Sequence, residues 1–370
     1  MIAPPAVADA IPLSGLSRVL VIKLGHLGDV LLTSPVLSVL KRALPDGEID
    51  ALVYDDTAAM LSGHPDLSHL LTINRRPAGK TAAVRAEWQL FRQLRARRYD
   101  FLVCLSHKPR VAWLARFTGA RYAVTVDRPD RPKFWRRSFT HFYPNPKGNS
   151  RHAVELNLDA LRRVGIAPAA EEKQLVMIAG DRAERRIAAV LAENGLTDRG
   201  YIHVHPGSRW LFKCWPASRV ATMINALQRR GESVVLTAGP DPKEMAWVGE
   251  VTARLDAPVV DLTGKLSLKE LAALVARAKL FIGMDSVPMH MASAMRTPTV
   301  AMFGPSGEIE WGPWRTVHRI VTSAHSCRPC GINGCGGSNR SECLETIEVS
   351  QVLAAVDSVL EHARAAESSA

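Results

Sequence analysis

Residues 18–45 read RVLVIKLGHLGDVLLTSPVLSVLKRALP and decide the fold of this 370-residue chain. The first seven of them are mostly aliphatic and β-branched, which predicts a strand covered on both faces. Gly25 and Gly28 then permit a tight turn and close backbone approach, and an apolar pattern of helical spacing follows over 30–43. A buried strand that leads through glycines into an amphipathic helix predicts an α/β fold with a ligand-binding turn at this point.

Asp29 lies in the expected first turn of that helix, where its carboxylate faces the positive end of the helix dipole. An aspartate in this position either caps the helix or takes part in chemistry. The glycines before Asp29 clear space beside the carboxylate, and this favours the functional interpretation.

Length and composition set the broad class of the protein. With 47% hydrophobic residues the chain can build two medium-sized cores, and it has no run of about 18 apolar residues that would span a membrane. Residues 1–17 lack the features of a signal peptide and predict a disordered lead-in, so we expect a cytoplasmic protein. Six cysteines in a chain of this length argue against a disulfide scaffold.

The net charge of +11 is concentrated in one segment. Residues 75–137 hold 17 Lys or Arg against four acidic residues, whereas the rest of the chain is close to neutral. Such a field attracts nucleic acid, an anionic membrane surface or a phosphorylated substrate. Residues 85–98 alone also fit a solvated helix face, but the basic residues over 108–137 alternate with prolines and aromatics, which predicts loops that face a partner.

Strand-like and helix-like segments alternate along both halves of the chain, which predicts βαβ units and parallel sheets. Residues 166–172 are rich in Pro and Ala and form the best linker between the halves. We therefore expect two doubly wound domains, 18–170 and 171–370, that face a cleft. Ligands of such sheets bind outside the carboxyl ends of the strands, so the loops after strands are the candidate sites.

Two post-strand loops of the second half carry the groups that bind phosphate. In HPGSRWLFKCWP (205–216), Gly207 and Ser208 offer donors and Lys213 adds positive charge. In GMDSVPMHMASA (283–294), a helix begins next to Asp285, and His290 follows one turn later either as a helix histidine or as a ligand. The loops TAGPDPKE and DLTGKLSLKE should reach the same edge of the sheet. The chain lacks a P-loop, a G-x-G-x-x-G after a strand and an Asp-x-Asp motif, which argues against P-loop ATPases, dinucleotide oxidoreductases and a metal-held diphosphate.

Together and in this order, these motifs resemble the lipopolysaccharide core heptosyltransferases of glycosyltransferase family 9, which have the GT-B fold of two Rossmann-like domains. The resemblance covers residues 18 to about 360 and includes KLGHLGDVLLTSP, HVHPGSRWLFKCWP, GMDSVPMHMASA with TPTVAMFGPSG, and the tail HSCRPCGINGCGGSNRSECL. The tail and FKCWP look most like the heptosyltransferase III subgroup, which adds the side-branch heptose of the inner core.

The resemblance implies an inverting transfer of heptose from ADP-L-glycero-D-manno-heptose, bound by the second domain, to a lipid A-core acceptor facing the first, at the cytoplasmic side of the Gram-negative inner membrane. Asp29 would be the general base, and Lys213 would hold the diphosphate. The other donor-binding residues would be Gly207, Ser208, Glu244 or Asp241 at the ribose, Leu266 at the adenine, Asp285 at the heptose, Ser286, Val287 and His290. The acceptor-binding residues would be Gly28, Lys108, Arg110, Arg128 and Arg136. No cofactor and no nucleic acid would take part.

The sequence departs from the family pattern at two positions. Arg296 stands where the family usually has a small residue, which could alter the end of the donor helix, and Gly25 stands where a basic residue is common in the type III subgroup, which bears on acceptor binding.

Four cysteines cluster in the loop 325–343, as C-x2-C-x4-C-x7-C, and predict either a structural zinc site or a set of reduced thiols. The zinc ligands would be Cys327, Cys330, Cys335 and Cys343. Stable disulfides are disfavoured in a cytosolic protein.

Two alternatives remain open for the function. One is a related family 9 transferase that adds heptose I or II or uses another nucleotide sugar. The other is a nucleic-acid-binding module that uses the basic residues 75–137, although the chain carries no recognised nucleic-acid motif.

Overall fold

The computed structural model describes residues 7–146 and 148–368 and contains two parallel six-stranded sheets. The chain divides into two compact units. The first comprises the described residues before Gly148 together with Ala153–Met177, and the second comprises Gly148–His152 and the chain from Ile178 onward.

The first unit carries a sheet of order β3-β2-β1-β4-β5-β6. Its strands are β1 (Arg18–Ile22), β2 (Glu48–Tyr54), β3 (His69–Ile73), β4 (Phe101–Cys104), β5 (Tyr122–Val126) and β6 (His141–Tyr143). Its helices are α1 (Leu27–Leu31), α2 (Ser34–Ala43), α3 (Lys80–Arg97), α4 (Pro109–Thr118), α5 (Lys133–Arg136) and α6 (Ala153–Arg162), with 3₁₀ turns at Asp55–Met60 and Glu171–Lys173.

The second unit carries a sheet of order β12-β11-β10-β7-β8-β9. Its strands are β7 (Tyr201–His205), β8 (Ser233–Leu236), β9 (Val260–Asp261), β10 (Leu280–Met284), β11 (Thr299–Met302) and β12 (His318–Val321). Its helices are α7 (Asp181–Glu193), α8 (Ala217–Arg229), α9 (Pro242–Thr252), α10 (Leu268–Arg277), α11 (Val287–Ala294), α12 (Glu308–Trp311), α13 (Glu342–Glu345) and α14 (Val349–Ser368), with 3₁₀ turns at Leu211–Lys213 and Cys335–Gly337.

The predicted α/β class and the parallel sheets are confirmed. Three strands at sheet edges were not predicted: β3, β6 and β12. β3 and β12 bury only some of their residues, and β6 has only three residues, so none has the continuous apolar run by which the central strands were recognised.

The helix predicted over 30–43 is two helices. α1 ends at Leu31 and α2 begins at Ser34. Pro35 has no N–H to donate to the carbonyl of Leu31, and the Thr33 hydroxyl donates to the Val30 carbonyl at 2.6 Å. The break leaves Asp29 on a short helix that belongs to the turn after β1.

The lead-in that we predicted as disordered is anchored over residues 7–17, and residues 1–6 lie outside the described part of the chain. Asp9 accepts two hydrogen bonds from Arg163, each of 2.7 Å, and the buried Ile11 donates its N–H to the Val164 carbonyl. Ser17 bonds to the carboxylate of Asp100. These polar contacts are made after chain folding, so local composition did not reveal them.

The Pro/Ala-rich segment 166–172 is part of the first unit, and the division falls at Met177, seven residues beyond the expected boundary at 170. No helix in the described ranges combines the length and the apolar character needed to cross a membrane.

Candidate active site

In the first unit, Asp29 is the third residue of α1, and its Oδ2 accepts a hydrogen bond of 2.9 Å from the N–H of His26. Asp29 therefore caps its helix, as one of the two interpretations predicts, and its side chain remains partly exposed. A Cβ at Gly25 would lie 2.7 Å from the Cβ of Asp29 and 3.0 Å from its Oδ2. Gly25 is thus required for the position of this carboxylate.

Two ionisable residues near Asp29, Lys23 and His107, were missed by sequence reasoning. Burial lowers the pKa of Lys23, while the negative charge of Asp29 opposes that shift. The pKa of His107 is lowered by burial and by its neighbours Lys23, Arg128 and Arg131, again opposed by Asp29. These effects place Lys23 and His107 within electrostatic range of the carboxylate, and the lowered pKa of His107 favours its neutral form.

Arg75 is a further cation at this turn. Its guanidinium lies 4.0 Å above the ring of Tyr54 and donates a 2.7 Å hydrogen bond to the carbonyl of Gly25. Lys108 donates to the Tyr54 hydroxyl at 3.2 Å. The only sequence signal for Arg75 was its place at the start of the basic segment.

The other predicted acceptor residues have local partners. Arg110 pairs with Glu87, Arg128 with Asp130 at 2.8 Å, and Arg136 with Asp127 at 2.9 Å. Gly28 is buried within α1. The contact of these residues with an acceptor stays a prediction. An anionic acceptor would compete with Glu87, Asp130 and Asp127 for the three guanidinium groups.

In the second unit, the site is built at the carboxyl ends of β7 and β10, which are neighbours in the sheet. Lys213 follows β7, Asp285 follows β10, and the Lys213 Nζ lies 2.5 Å from the Asp285 Oδ2. Asp285 is buried and Lys213 partly exposed. The two predicted donor residues are therefore brought into direct contact.

The loop that carries Lys213 is fastened by the C-terminal tail. Trp215 is fully buried, and its Nε1 donates to the carbonyl of Ile347 at 3.1 Å. Ser341 donates its hydroxyl to the carbonyl of Phe212 at 2.6 Å. The two motifs that indicated the type III subgroup, FKCWP and SECL, are thus in contact with each other.

Glu244 joins two of the post-strand loops from a buried position. Its Oε1 accepts the N–H of Gly239 at 3.0 Å and lies 3.4 Å from His205, and a Cβ at Gly207 would come within 2.5 Å of the same oxygen. Burial raises the pKa of Glu244, whereas His205 and the N–H of Gly239 lower it by a larger amount. The net shift of the pKa is therefore downward. Glu244 is thus a carboxylate that connects two loops through its contacts with Gly239 and His205. Its contact with a ribose stays a prediction. Asp241 caps α9 by accepting the amides of Lys243 and Glu244.

Three hydrogen-bonded polar side chains, which were not predicted, lie on or directly after neighbouring strands next to this site. Thr237 Oγ1 lies 2.7 Å from His203 Nε2 and 2.8 Å from His205 Nδ1, and all three residues are buried. Burial, and then the neighbouring His205, lower the pKa of His203 well below its ordinary value. Both histidines lie within the apolar-looking strand β7, which is why sequence reasoning assigned them no role.

Most of the remaining predicted donor residues lie near the start of α10 or α11, and Ser208 lies in the loop after β7. Ser286 precedes α11, Val287 is its first residue, and His290 is buried in its second turn. The first N–H groups of a helix have no acceptor within the helix and can bind an anion. Ser208 is buried after β7, and Leu266 is partly buried just before α10.

The four cysteines of the C-terminal loop differ in exposure, from Cys327 at the surface to the buried Cys343 on α13, and all are free thiols. Among the residues that the structure describes, no group of three or more His, Cys, Asp or Glu side chains could hold a metal ion. Structural zinc in this loop therefore stays a prediction without geometric support.

Comparison with known proteins agrees with these motifs. The family model described as glycosyltransferase family 9 (heptosyltransferase) matches residues 87–337. The chain is 37% identical over 335 residues to lipopolysaccharide heptosyltransferase 3 of Escherichia coli, covering 90% of this chain and 96% of that protein.

Two solved structures are similar in fold. The glycosyl transferase family 9 protein from Veillonella parvula matches with a TM-score of 0.82 at 25% identity, covering 96% of this chain and all of that one. The E. coli ADP-heptose lipopolysaccharide heptosyltransferase II matches with a TM-score of 0.73 at 21% identity, covering 93% and 99%. The fold of two parallel sheets is that of GT-B enzymes.

Proposed function

We propose, from the premise that the chain belongs to glycosyltransferase family 9, that this enzyme transfers L-glycero-D-manno-heptose from ADP-heptose to the lipopolysaccharide inner core as the side-branch heptose III. The observation that carries the proposal is the 37% identity with heptosyltransferase 3, which extends over 90% of the chain. The contact between FKCWP and the C-terminal tail supports the type III assignment, because both subgroup motifs build one loop of the donor site.

Asp29 acts as the general base. Its carboxylate stands at a turn opened by Gly25, with Lys23 in electrostatic range and Arg75 bonded to the Gly25 carbonyl. It takes the proton of the acceptor hydroxyl as the oxygen attacks the anomeric carbon of the donor, and the carbon–oxygen bond to ADP breaks with inversion. The positive groups around Asp29, Lys23 and Arg75 among them, suit an anionic acceptor.

Lys213 stabilises the departing ADP. The negative charge on the diphosphate grows as the bond to the heptose breaks, and an ammonium held in place before the reaction stabilises that charge without reorganisation. Asp285 holds the ammonium at 2.5 Å. In the proposed mechanism, Asp285 contacts the heptose hydroxyls. The amides at Ser286 and Val287 and the Ser208 hydroxyl complete the phosphate site, with His290 beside it. Protein groups alone carry this chemistry, and no metal is assigned a step.

The enzyme acts in the cytoplasm of a Gram-negative cell, at the inner membrane that holds its lipid A-core acceptor. The excess of basic residues over 75–137 supports this location, because that segment lies in the unit that carries Asp29.

The experiment that tests the mechanism compares Asp29→Asn with the wild type in heptose transfer from ADP-heptose to purified inner core. The variant keeps the volume of the side chain but removes the base, so kcat should fall by about 10²–10⁴-fold. Asp46→Asn is the matched control, because Asp46 is an exposed residue that follows α2. Wild-type turnover in Asp29→Asn would show that another group takes the proton.

A further inference from the structure

Helix α3 (Lys80–Arg97) exposes large apolar side chains to solvent. Only Leu90 and Leu94 of its 18 residues are buried. Val84 and Trp88, by contrast, are 70% and 60% exposed. Large apolar side chains that water surrounds to this extent, when they occur together, mark an interaction surface.

Aromatic residues of three helices, some exposed and some partly buried, form one continuous row. Trp88 stacks on Phe91 of α3, with 5.8 Å between ring centroids, and Phe91 meets Phe117 of α4 edge to face at 5.8 Å. Phe117 stacks on Trp113 at 5.5 Å, and Trp113 lies 4.3 Å from Phe134 of α5. Trp113 and Phe117 are 51% and 44% exposed. We call this row, Trp88, Phe91, Phe117, Trp113 and Phe134, the aromatic row.

Basic side chains border the aromatic row. Arg95 donates to the carbonyl of Phe117, and Arg116 to that of Arg137, each at 3.3 Å, which fixes both guanidinium groups at its edge. Six basic residues of these helices and their ends form no ion pair with any residue that the structure describes: Arg85, Arg92, Arg95, Arg116, Lys133 and Arg137. The charge of this border is therefore uncompensated, unlike that of Arg110, Arg128 and Arg136.

An open cavity of about 450 Å³ adjoins the aromatic row at the end of α4. Arg116, Phe117 and Arg137 line it together with Ser138 and Thr140. The guanidinium groups of Arg116 and Arg137 at this cavity are suited to bind a lipid phosphate beside the rings.

We propose that the aromatic row and its basic border dock the enzyme on an anionic phospholipid bilayer. Tryptophan and phenylalanine partition into the boundary between head groups and acyl chains, and arginines beside them bind the lipid phosphates. A second copy of the chain would bring six uncompensated cations against six others, so charge complementarity favours the bilayer over self-association. Single-stranded nucleic acid would use the same exposed rings, and the test below distinguishes it from the bilayer.

Docking on the bilayer rests on the proposed function in one respect: the proposed acceptor is anchored in that bilayer. It is tested by sedimentation of the full chain with vesicles of phosphatidylcholine alone or of phosphatidylcholine with phosphatidylglycerol. We expect wild-type protein to prefer the anionic vesicles by about tenfold or more at low salt. Trp88→Ala/Trp113→Ala and, separately, Arg85→Gln/Arg92→Gln should each reduce that binding by about tenfold. These side chains are exposed, so folding does not depend on them.

Matched controls come from exposed residues of the second unit. Ile309→Ala/Ile332→Ala and Arg182→Gln/Arg185→Gln should leave vesicle binding unchanged. Transfer to a delipidated, water-soluble core should be the same in all variants, whereas transfer to an acceptor embedded in anionic vesicles should fall only in the aromatic-row and border variants. This difference separates failure of docking from failure of the proposed function.

Three results would overturn the docking proposal. They are equal vesicle binding by wild type and both patch variants, an equal loss of transfer to the water-soluble core, and binding of single-stranded DNA that the patch variants lose while vesicle binding persists.

Discussion

The ammonium of Lys213 lies 2.5 Å from the carboxylate of Asp285, and the two residues follow adjacent parallel strands of the second sheet. A buried carboxylate thus holds the cation where the diphosphate of the donor is expected. Because the carboxylate and the diphosphate compete for one ammonium, the two residues should contribute differently to binding and to catalysis.

Lys213→Ala should weaken ADP binding and lower kcat/KM by about 10²–10³-fold, since it removes the charge that stabilises the leaving group. Asp285→Asn should lower kcat by about tenfold or more but leave ADP bound at least as tightly, because it removes a negative charge next to the phosphates. Calorimetry with ADP and steady-state kinetics measure the two effects. Lys279→Ala is the control. Lys279 pairs with Glu232 and directly precedes β10, at the end of that strand opposite to Asp285. Weaker ADP binding in Asp285→Asn would contradict this division of roles.

Gly25→Ala should displace the base. The new Cβ would lie 2.7 Å from that of Asp29, and relief of this overlap must move the carboxylate or the turn. We expect a loss of about 1–3 kcal/mol in the free energy of unfolding and a fall in kcat that exceeds any change in KM for the donor. Urea denaturation and kinetics provide the measurement. Gly249→Ala, at a position in α9 with open space around it, should instead stabilise by up to about 1 kcal/mol. An active, fully stable Gly25→Ala would show that the turn is not constrained by Asp29.

Arg296→Gly should stabilise the protein. Arg296 is exposed just after α11 and has a φ of 56°, in the left-handed region that glycine adopts without steric cost. A positive φ favours glycine over any residue with a side chain at position 296. We expect a gain of about 1 kcal/mol, seen as a higher Tm, with unchanged kinetics. A lower Tm would mean that the Arg296 side chain makes a stabilising contact that outweighs the backbone strain.

Stability should fall in mild acid, in part because of His203. Its pKa in the folded protein lies well below 6.5, so below pH 6.5 the unfolded chain binds a proton at this residue that the folded chain does not. The free energy of unfolding should drop by up to about 1.4 kcal/mol per pH unit from this group, until the pH reaches its folded pKa. His203→Gln should reduce the slope measured by urea denaturation between pH 7 and pH 5, whereas His362→Gln, on the exposed face of α14, should not. An equal slope in wild type and His203→Gln would assign the effect to other groups, among them the buried His64, whose pKa burial also lowers.

The sequence was sufficient to predict those parts of the fold and of the site that depend on local patterns. β1, the glycine turn and Asp29 follow one another in 12 residues, and HVHPGSRWLFKCWP and GMDSVPMH each lead from a strand end to a helix start. The pairing of Lys213 with Asp285 could not be read from the chain, because β7 and β10 become neighbours only through the crossover order of the sheet.

The same reason explains the residues that were missed. Arg75 was missed because it meets Tyr54, the last residue of β2, only after folding, and Lys108, which was predicted, reaches the same ring. His203 looks like one more residue of a buried strand, and its bond to Thr237 depends on the pairing of β7 with β8. β3 and β12 were missed because less buried residues interrupt their apolar pattern, and β6 because it has only three residues.

The most direct test of the central claim is mass spectrometry of purified cores, truncated at successive sugars, after incubation with ADP-heptose and the enzyme. We predict that a core which already carries inner-core heptose gains the mass of one heptose, and that cores truncated before this heptose gain none. Transfer of heptose to the core that lacks any heptose would contradict the type III assignment, and no gain on any core would contradict the proposed function.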